Sequence, residues 1–189
     1  MGDKTGIGWT DATWSPVTGC TKIELRPERL YWPLKWRGSK QAKAEGRPSR
    51  IFVNSMSDLF HEEVPDDFIR AVFITMARAH KHCFQILTKR PYRMSELFRL
   101  WERKGLILRE GHRAKLQNVW LGVSVENRET WEERSELLKN TPSFVRFISY
   151  EPALAPLGDL DLSGIHWIIA GGESGPHARP AHPDWFRSV

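Results

Sequence analysis

Residues 50–61, R-I-F-V-N-S-M-S-D-L-F-H, carry an apolar run, Ile51-Phe52-Val53, that stops abruptly at Asn54-Ser55-Met56-Ser57-Asp58, and Pro65 opens a helical pattern soon after. A short β-branched and aromatic run bounded by polar residues reads as a strand, so the stretch is a strand, a polar exit and a crossover helix. The same grammar recurs four times. Phe84-Gln85-Ile86-Leu87 gives out into Thr88-Lys89-Arg90, Val119-Trp120-Leu121-Gly122-Val123 into Ser124-Val125-Glu126, Phe144-Val145-Arg146-Phe147-Ile148 into Ser149-Tyr150-Glu151, and Trp167-Ile168-Ile169-Ala170 into Gly171-Gly172-Glu173-Ser174.

Repeated strand–helix units with right-handed crossovers give either an open doubly wound sheet or a barrel. Counting a first strand within residues 7–14, about six strands are present, fewer than a closed eight-fold barrel needs. The expected fold is therefore α/β, a partial (β/α) barrel of about six parallel strands. A chain of 189 residues suits one such domain over 1–189, with a basic irregular insert at about 22–50.

The helices announce themselves by their ends. Pro65-Asp66-Asp67 places proline and acids in a first turn, with Phe68, Ile69, Val72, Phe73 and Met76 on one face and Arg78, His80 and Lys81 at the close. Pro91 starts a second helix bearing Met94, Leu97, Phe98 and Trp101, which Gly105 ends, and Asn127 caps a third carrying Trp131, Leu137 and Leu138. Residues 106–117 read as a basic connector. The insert is broken by Pro27, Pro33, Gly38, Gly46 and Pro48, so a loop with a short helix near 27–34 and a mobile tip at 39–46 is expected.

Composition excludes several classes. Hydrophobic content of 40% with 27% charged residues is that of a globular protein, no apolar run could span a bilayer, and no signal-peptide core follows the first residues. A cytoplasmic location without membrane contact is the expectation. Cys20 and Cys83 are too few for a disulfide framework. The net charge of +5 is concentrated in residues 22–50, where nine basic residues stand against three acidic ones. There Arg29, Trp32, Lys35, Trp36, Arg37 and Lys40 interleave cations with rings, a pattern that suits single-stranded nucleic acid.

The loops leaving the C-terminal ends of parallel strands converge on one mouth, where sites are built. Asp58, Glu126, Glu151 and Glu173 follow four strand ends, and Lys89 with Arg90 follows another. Any one acid could simply cap a helix or pair with an arginine; their repetition points to a shared site. Catalytic candidates are Asp58, Lys89 and Glu151. Gly171-Gly172-Glu173-Ser174-Gly175 allows close approach of backbone to a ligand, or marks a tight turn. Carboxylates with His177 could also serve a metal-dependent hydrolase, although no zinc-protease spacing is present.

Six blocks, W-T-D-A-T-W-S-P-V-T-G-C (residues 9–20), F-V-N-S-M-S-D-L-F-H (52–61), Q-I-L-T-K-R-P (85–91), N-V-W-L-G-V-S-V-E (118–126), R-F-I-S-Y-E-P (146–152) and G-G-E-S-G-P-H-A-R-P-A-H-P-D-W (171–185), together resemble a phage- and prophage-associated family of radical-SAM-like proteins of unassigned substrate. The resemblance implies a partial barrel that binds a [4Fe-4S] cluster, held by three cysteines after the first strand, and S-adenosylmethionine. Cys20 matches the first of those cysteines, and the C-x-x-C-Y element that would supply the others is missing, because residues 19–22 run almost directly into 25–30. Ser124, Glu126, Gly171, Gly172 and Glu173 would be the cofactor pocket, and a nucleic acid or nucleotide the substrate. A non-catalytic nucleic-acid-binding protein working through residues 22–50 is the alternative, and the hydrolase a third reading.

Overall fold

Alternation along each strand sorts the side chains onto two faces, and the sheet is built from that sorting. The computed structural model describes residues 5–19, 22–106, 116–187 and 189. Among these residues eight strands form: β1 (Ala12–Trp14), β2 (Val17–Thr18), β3 (Glu24–Leu25), β4 (Ser49–Val53), β5 (His82–Thr88), β6 (Val119–Val125), β7 (Val145–Tyr150) and β8 (Trp167–Ala170). Six of them make one parallel sheet in the order β1-β4-β5-β6-β7-β8, and β2 with β3 makes a small antiparallel ribbon. The six strands expected from the sequence are thus present, although the first spans only Ala12–Trp14.

The helices are α1 (Trp32–Lys35), α2 (Lys40–Ala44), α3 (Asp66–Arg78), α4 (Pro91–Lys104), α5 (Arg128–Lys139) and α6 (Pro183–Arg187). The three long ones start and stop where the punctuation placed them. Asn127 accepts from the Thr130 amide in a reciprocal capping box, and Gly105 ends α4. Residues 39–46 depart from the expected irregular tip: Ser39 caps α2 by accepting from the Ala42 amide, and Ala42 is fully buried. A good N-cap and one buried alanine suffice there because the short turn docks on the body of the protein.

The helix-facing side of the sheet presents Ile51, Val53, Phe84, Ile86, Leu121, Val123, Ile148 and Tyr150 to Phe73, Met76, Met94, Phe98, Trp101 and Trp131. Each such side chain contributes about 1.5–3 kcal/mol when buried completely. Asn118 ties this layer together by donating to the carbonyls of Met76 and His82, so the end of α3 and the start of β5 share one amide.

The opposite face carries Phe52, Gln85, Leu87, Trp120, Gly122, Ser124, Phe147, Ser149, Trp167 and Ile169, in matching register. Its shape follows from one ring. The indole of Trp9 lies 4.6 Å from Phe52 on β4 and 5.8 Å from Trp167 on β8. Those two rings are therefore at most about 10 Å apart, whereas four strand spacings of about 4.8 Å would put β4 and β8 about 19 Å apart on a flat sheet. The sheet is curled, with this face concave and its edges β1 and β8 brought toward each other, as in an incomplete barrel.

Gly122 sits at the centre of the concave face, and a Cβ there would fall 2.5 Å from the ring of fully buried Phe147. Gly122→Ala therefore overpacks the floor. It is expected to lower stability by about 1–3 kcal/mol in denaturant unfolding, with unchanged helix content; an alanine variant as stable as the parent would mean that Phe147 has free space to move into.

Candidate functional site

Strand ends β4 to β8 open on the concave side into two adjoining cavities. One of about 480 Å3 is walled by Asn54, Ser55, Met56, Asp58, Thr88, Lys89, Arg90 and Ser124. The other, of about 700 Å3, lies between residues 6–9 and the exits of β7 and β8, including Ser149, Glu151, Gly172 and Glu173. Phe52, Ser55 and Leu87 belong to both walls, so the cavities meet over a common apolar floor. Volumes of this size suit small organic ligands.

The structure brings the acids to this mouth, and their partners decide what each can do. Asp58 accepts from the Phe60 amide at 2.9 Å, the Thr88 hydroxyl at 2.8 and 2.9 Å and the Lys89 amide at 3.0 Å, and it pairs with Arg90 at 3.2 Å. Its lone pairs are filled by the task of tying the exit of β4 to that of β5. Glu126, nearly buried, receives Lys89 Nζ on one oxygen and Arg134 on the other at 3.2 Å. Lys89 and Glu126 thus neutralise one another across neighbouring strand ends. Glu173 is held by the Arg179 guanidinium at 2.8 Å through both oxygens and by the Arg179 amide, and these bonds pull its carboxyl down to about 2.

Glu151 differs. Its carboxylate has no hydrogen bond or ion pair with any described residue and forms part of the wall of the larger cavity. Gly171 explains its placement: a Cβ at that position would lie 3.0 Å from Glu151 Oε1 and 3.2 Å from its carboxyl carbon. The first glycine of the pair makes room for a carboxylate. It does not cradle an anion, since its amide donates to Tyr150 and its carbonyl accepts from Ala153.

Among the residues expected at the cofactor pocket, Ser124 lines the smaller cavity and Gly172 and Glu173 the larger, while Glu126 and Gly171 act behind the walls. Cys20 lies outside the described residues, as does most of the basic connector 106–117. Cys83 is on β5 with its thiol pushed up to about 12 by burial. It stands five residues before Thr88, about 16 Å from the mouth along the strand. Among the described residues no three histidines, cysteines or acids converge as a metal site, and His177 is exposed away from such a grouping.

The basic insert is divided by the fold. Arg29 stacks over Trp32 at 5.5 Å beside exposed Tyr31, while Trp36 turns inward against the core and His82, its ring 5.0 Å from the imidazole. Lys35, Arg37 and Lys40 are exposed, and Gly38 abuts Ser49 and His82, which places Arg37 and Lys40 near the starts of β4 and β5, at the far end of the strands from the mouth. Cations and rings therefore do not form one continuous track with the cavities. No helix among the described residues is long and apolar enough to cross a membrane.

Two carboxamides that sequence reasoning did not single out belong to the mouth and its floor. Gln85, fully buried between Phe52 and Trp120 in register, has neither amide atom bonded, and Asn54 Nδ2 is likewise buried without an acceptor. Native interiors leave few such groups. The only signal was position, a polar residue inside an apolar run and another at its end.

The family described as protein of unknown function (DUF5131) matches residues 21–189. No curated protein and no solved structure matches the chain.

The docking of the insert carries a pH signature. His82 bonds Trp36 O at 3.1 Å, and burial holds its pKa below the ordinary 6.5. The unfolded chain takes up this proton as pH falls through 6.5 and the folded chain does so only lower, so stability declines with acidification across that interval. In denaturant titrations on either side of pH 6.5, His82→Phe is expected to show a smaller loss on acidification than the parent; an equal loss would assign the effect to other groups.

Proposed function

The chain belongs to this family of unknown function, and from that premise we propose that its mouth binds S-adenosylmethionine on a radical-SAM-type partial barrel whose cluster loop is lost. One observation carries the reading: of the four strand-end acids, Glu151 alone keeps an uncommitted carboxylate, and it faces the larger cavity. An unpaired carboxylate beside an apolar floor selects a ligand that is largely apolar and locally cationic. An adenosyl sulfonium has that character, with an ammonium group besides. Phe52, Leu87 and Ile169 offer apolar contact to its adenosine part, and Ser149 a hydroxyl at the strand end.

The residues present do not fit an iron–sulfur cluster. Thiolates hold such clusters, and the chain has two cysteines, of which Cys83 is a buried, protonated thiol at the remote end of its strand. The chain is then a binding protein of radical-SAM-like descent that works without a cluster. The resemblance of the six sequence blocks and the sequential order of the parallel strands both support that descent.

Calorimetric titration separates the outcomes. S-adenosylmethionine is expected to bind more tightly than S-adenosylhomocysteine, which lacks the sulfonium charge. Glu151→Gln should weaken the first by about tenfold or more, the size of one lost charge-assisted contact, and leave the second nearly unchanged. Gly171→Ala should act in the same direction by crowding the carboxylate. A Glu151→Gln variant that binds both ligands as the parent does would remove this carboxylate from the site. Anaerobic reconstitution with iron and sulfide should leave well under the roughly four irons per chain of a [4Fe-4S] cluster; stoichiometric iron would overturn the cluster-free reading.

A further inference from the structure

The end of the sheet opposite the mouth is a junction of Trp36, Ser39, Ser49, Ala79 and His82. His82 Nε2 donates to Trp36 O at 3.1 Å, the Ser39 amide to Ser49 Oγ at 3.0 Å, and the His82 amide to Ala79 O at 3.0 Å. Ser49 and His82 begin β4 and β5 side by side, and Gly38 lies against both. Lys35, Arg37, Lys40, Arg78 and Lys81 are each next in sequence to a residue of this junction, and all five are exposed. One small surface thus gathers five cations contributed by α1, the turn after it, α2 and the end of α3.

None of the five has a hydrogen bond or ion pair from its side chain to a described residue. Pairing is common elsewhere: Arg90 holds Asp58 and Glu62, Arg93 holds Asp66, and Lys139 holds Asp161. The acids closest to the junction are already taken. Asp11 accepts from the Arg47 guanidinium and the Arg50 amide, and Glu45 from Arg47 and Gln41. Arg78 and Lys81 follow the usual preference for cations at a helix C-terminus, but that preference does not extend to the others. Lys40 stands in the first turn of α2, where peptide dipoles disfavour a cation and no acid compensates. Like charges held this close repel unless an anion lies among them.

The surroundings select the anion. Trp36 is half-buried against the core, so the face offers cations without a platform on which bases could stack. The helices on it, α1 and α2, have four and five residues, too short to lay an amphipathic face into a bilayer. A duplex presents about one phosphate charge per 1.7 Å of axis, and so brings several phosphates within reach of cations this near one another. We infer that this face binds the phosphate backbone of double-stranded nucleic acid without reading its sequence. The face lies about 20 Å from the exit of β5, the length of that strand, so its occupation is independent of the mouth.

The test is fluorescence anisotropy of the full chain with a labelled DNA duplex, without S-adenosylmethionine, across a salt series. With up to five phosphates neutralised, the slope of log affinity on log salt reaches about −4.5, a loss of about 500-fold between about 50 and 200 mM salt. Replacing two of the five, Arg37→Ala with Lys40→Ala, should reduce that loss to about 40-fold and weaken duplexes of unrelated sequence equally. Both side chains are exposed, so the fold is expected to persist, as circular dichroism would show. Arg70→Ala with Arg187→Ala removes the same charge from side chains paired with Asp67 and Asp184, and should leave the slope unchanged. A parent that ignores the duplex at low salt, a folded Arg37→Ala, Lys40→Ala variant with the parent's slope, or a control pair that lowers the slope as much would each overturn the proposal. Tighter binding to a single strand of equal length, or to phosphatidylserine vesicles, would overturn it in favour of that partner. Because S-adenosylmethionine is titrated separately at the mouth, either reading can fail alone.

Discussion

The contact on which the rest of the structure depends is the indole of Trp9 resting at once against Phe52, Phe147 and Trp167, rings from β4, β7 and β8, of which only β4 is a neighbour of β1 in the sheet. A parallel sheet can offer those rings to one side chain only by curling. Aromatic pairs add about 0.5–1.5 kcal/mol beyond their buried area, and here that stabilisation is available only in the concave form. Phe147 reaches its place because Gly122 leaves the space, so a missing side chain on β6 and a large one on β7 act as one packing unit. Curl in turn aims the exits of β4, β5, β6, β7 and β8 toward a common axis. The mouth is a consequence of the floor.

Charge at that mouth obeys a second constraint. Several carboxylates converging on one axis repel one another unless each is paired or hydrated. The chain meets this with a cation for nearly every acid: Arg90 for Asp58, Lys89 and Arg134 for Glu126, Arg179 for Glu173. Two of these pairings join adjacent strand ends, so they also set the spacing of the loops. Against that neutral background, one uncommitted carboxylate among the described strand-end acids, Glu151, stands out as the group with bonding capacity left for a ligand.

Much of the scaffold could be read directly because its signals are local. The apolar runs of β4 to β8, the acids and proline opening α3, and the Asn127 cap each announce themselves within a few residues. The site was legible in its location and not in its roles. Asp58, Lys89 and Glu126 were singled out for being polar at strand ends, yet what they do depends on partners 30 to 37 residues away in sequence, which periodicity cannot report. Asn54 escaped notice for the opposite reason. Its type is ordinary, and only a left-handed backbone together with a bond from Val17 turns it into an oriented, donor-only amide. The aromatic residues of the insert divide for the same reason, since Tyr31 and Trp32 stay exposed while Trp36 is half-buried against the core.

The two cavities also constrain each other. They share Phe52, Ser55 and Leu87, and Phe52 lies in register with Gln85, whose amide is wholly unbonded beneath the floor. A buried, unpaired carboxamide is a cost that packing alone does not remove. It sets this part of the floor apart from the aromatic cluster beside Gly122, where Trp9, Phe147 and Trp167 pack ring against ring. Phe52 belongs to both walls, so a ligand that displaces it in one cavity reshapes the other. A site divided by a shared floor suits two ligands brought into contact better than two independent ones, and it places the junction over Phe52 and Leu87.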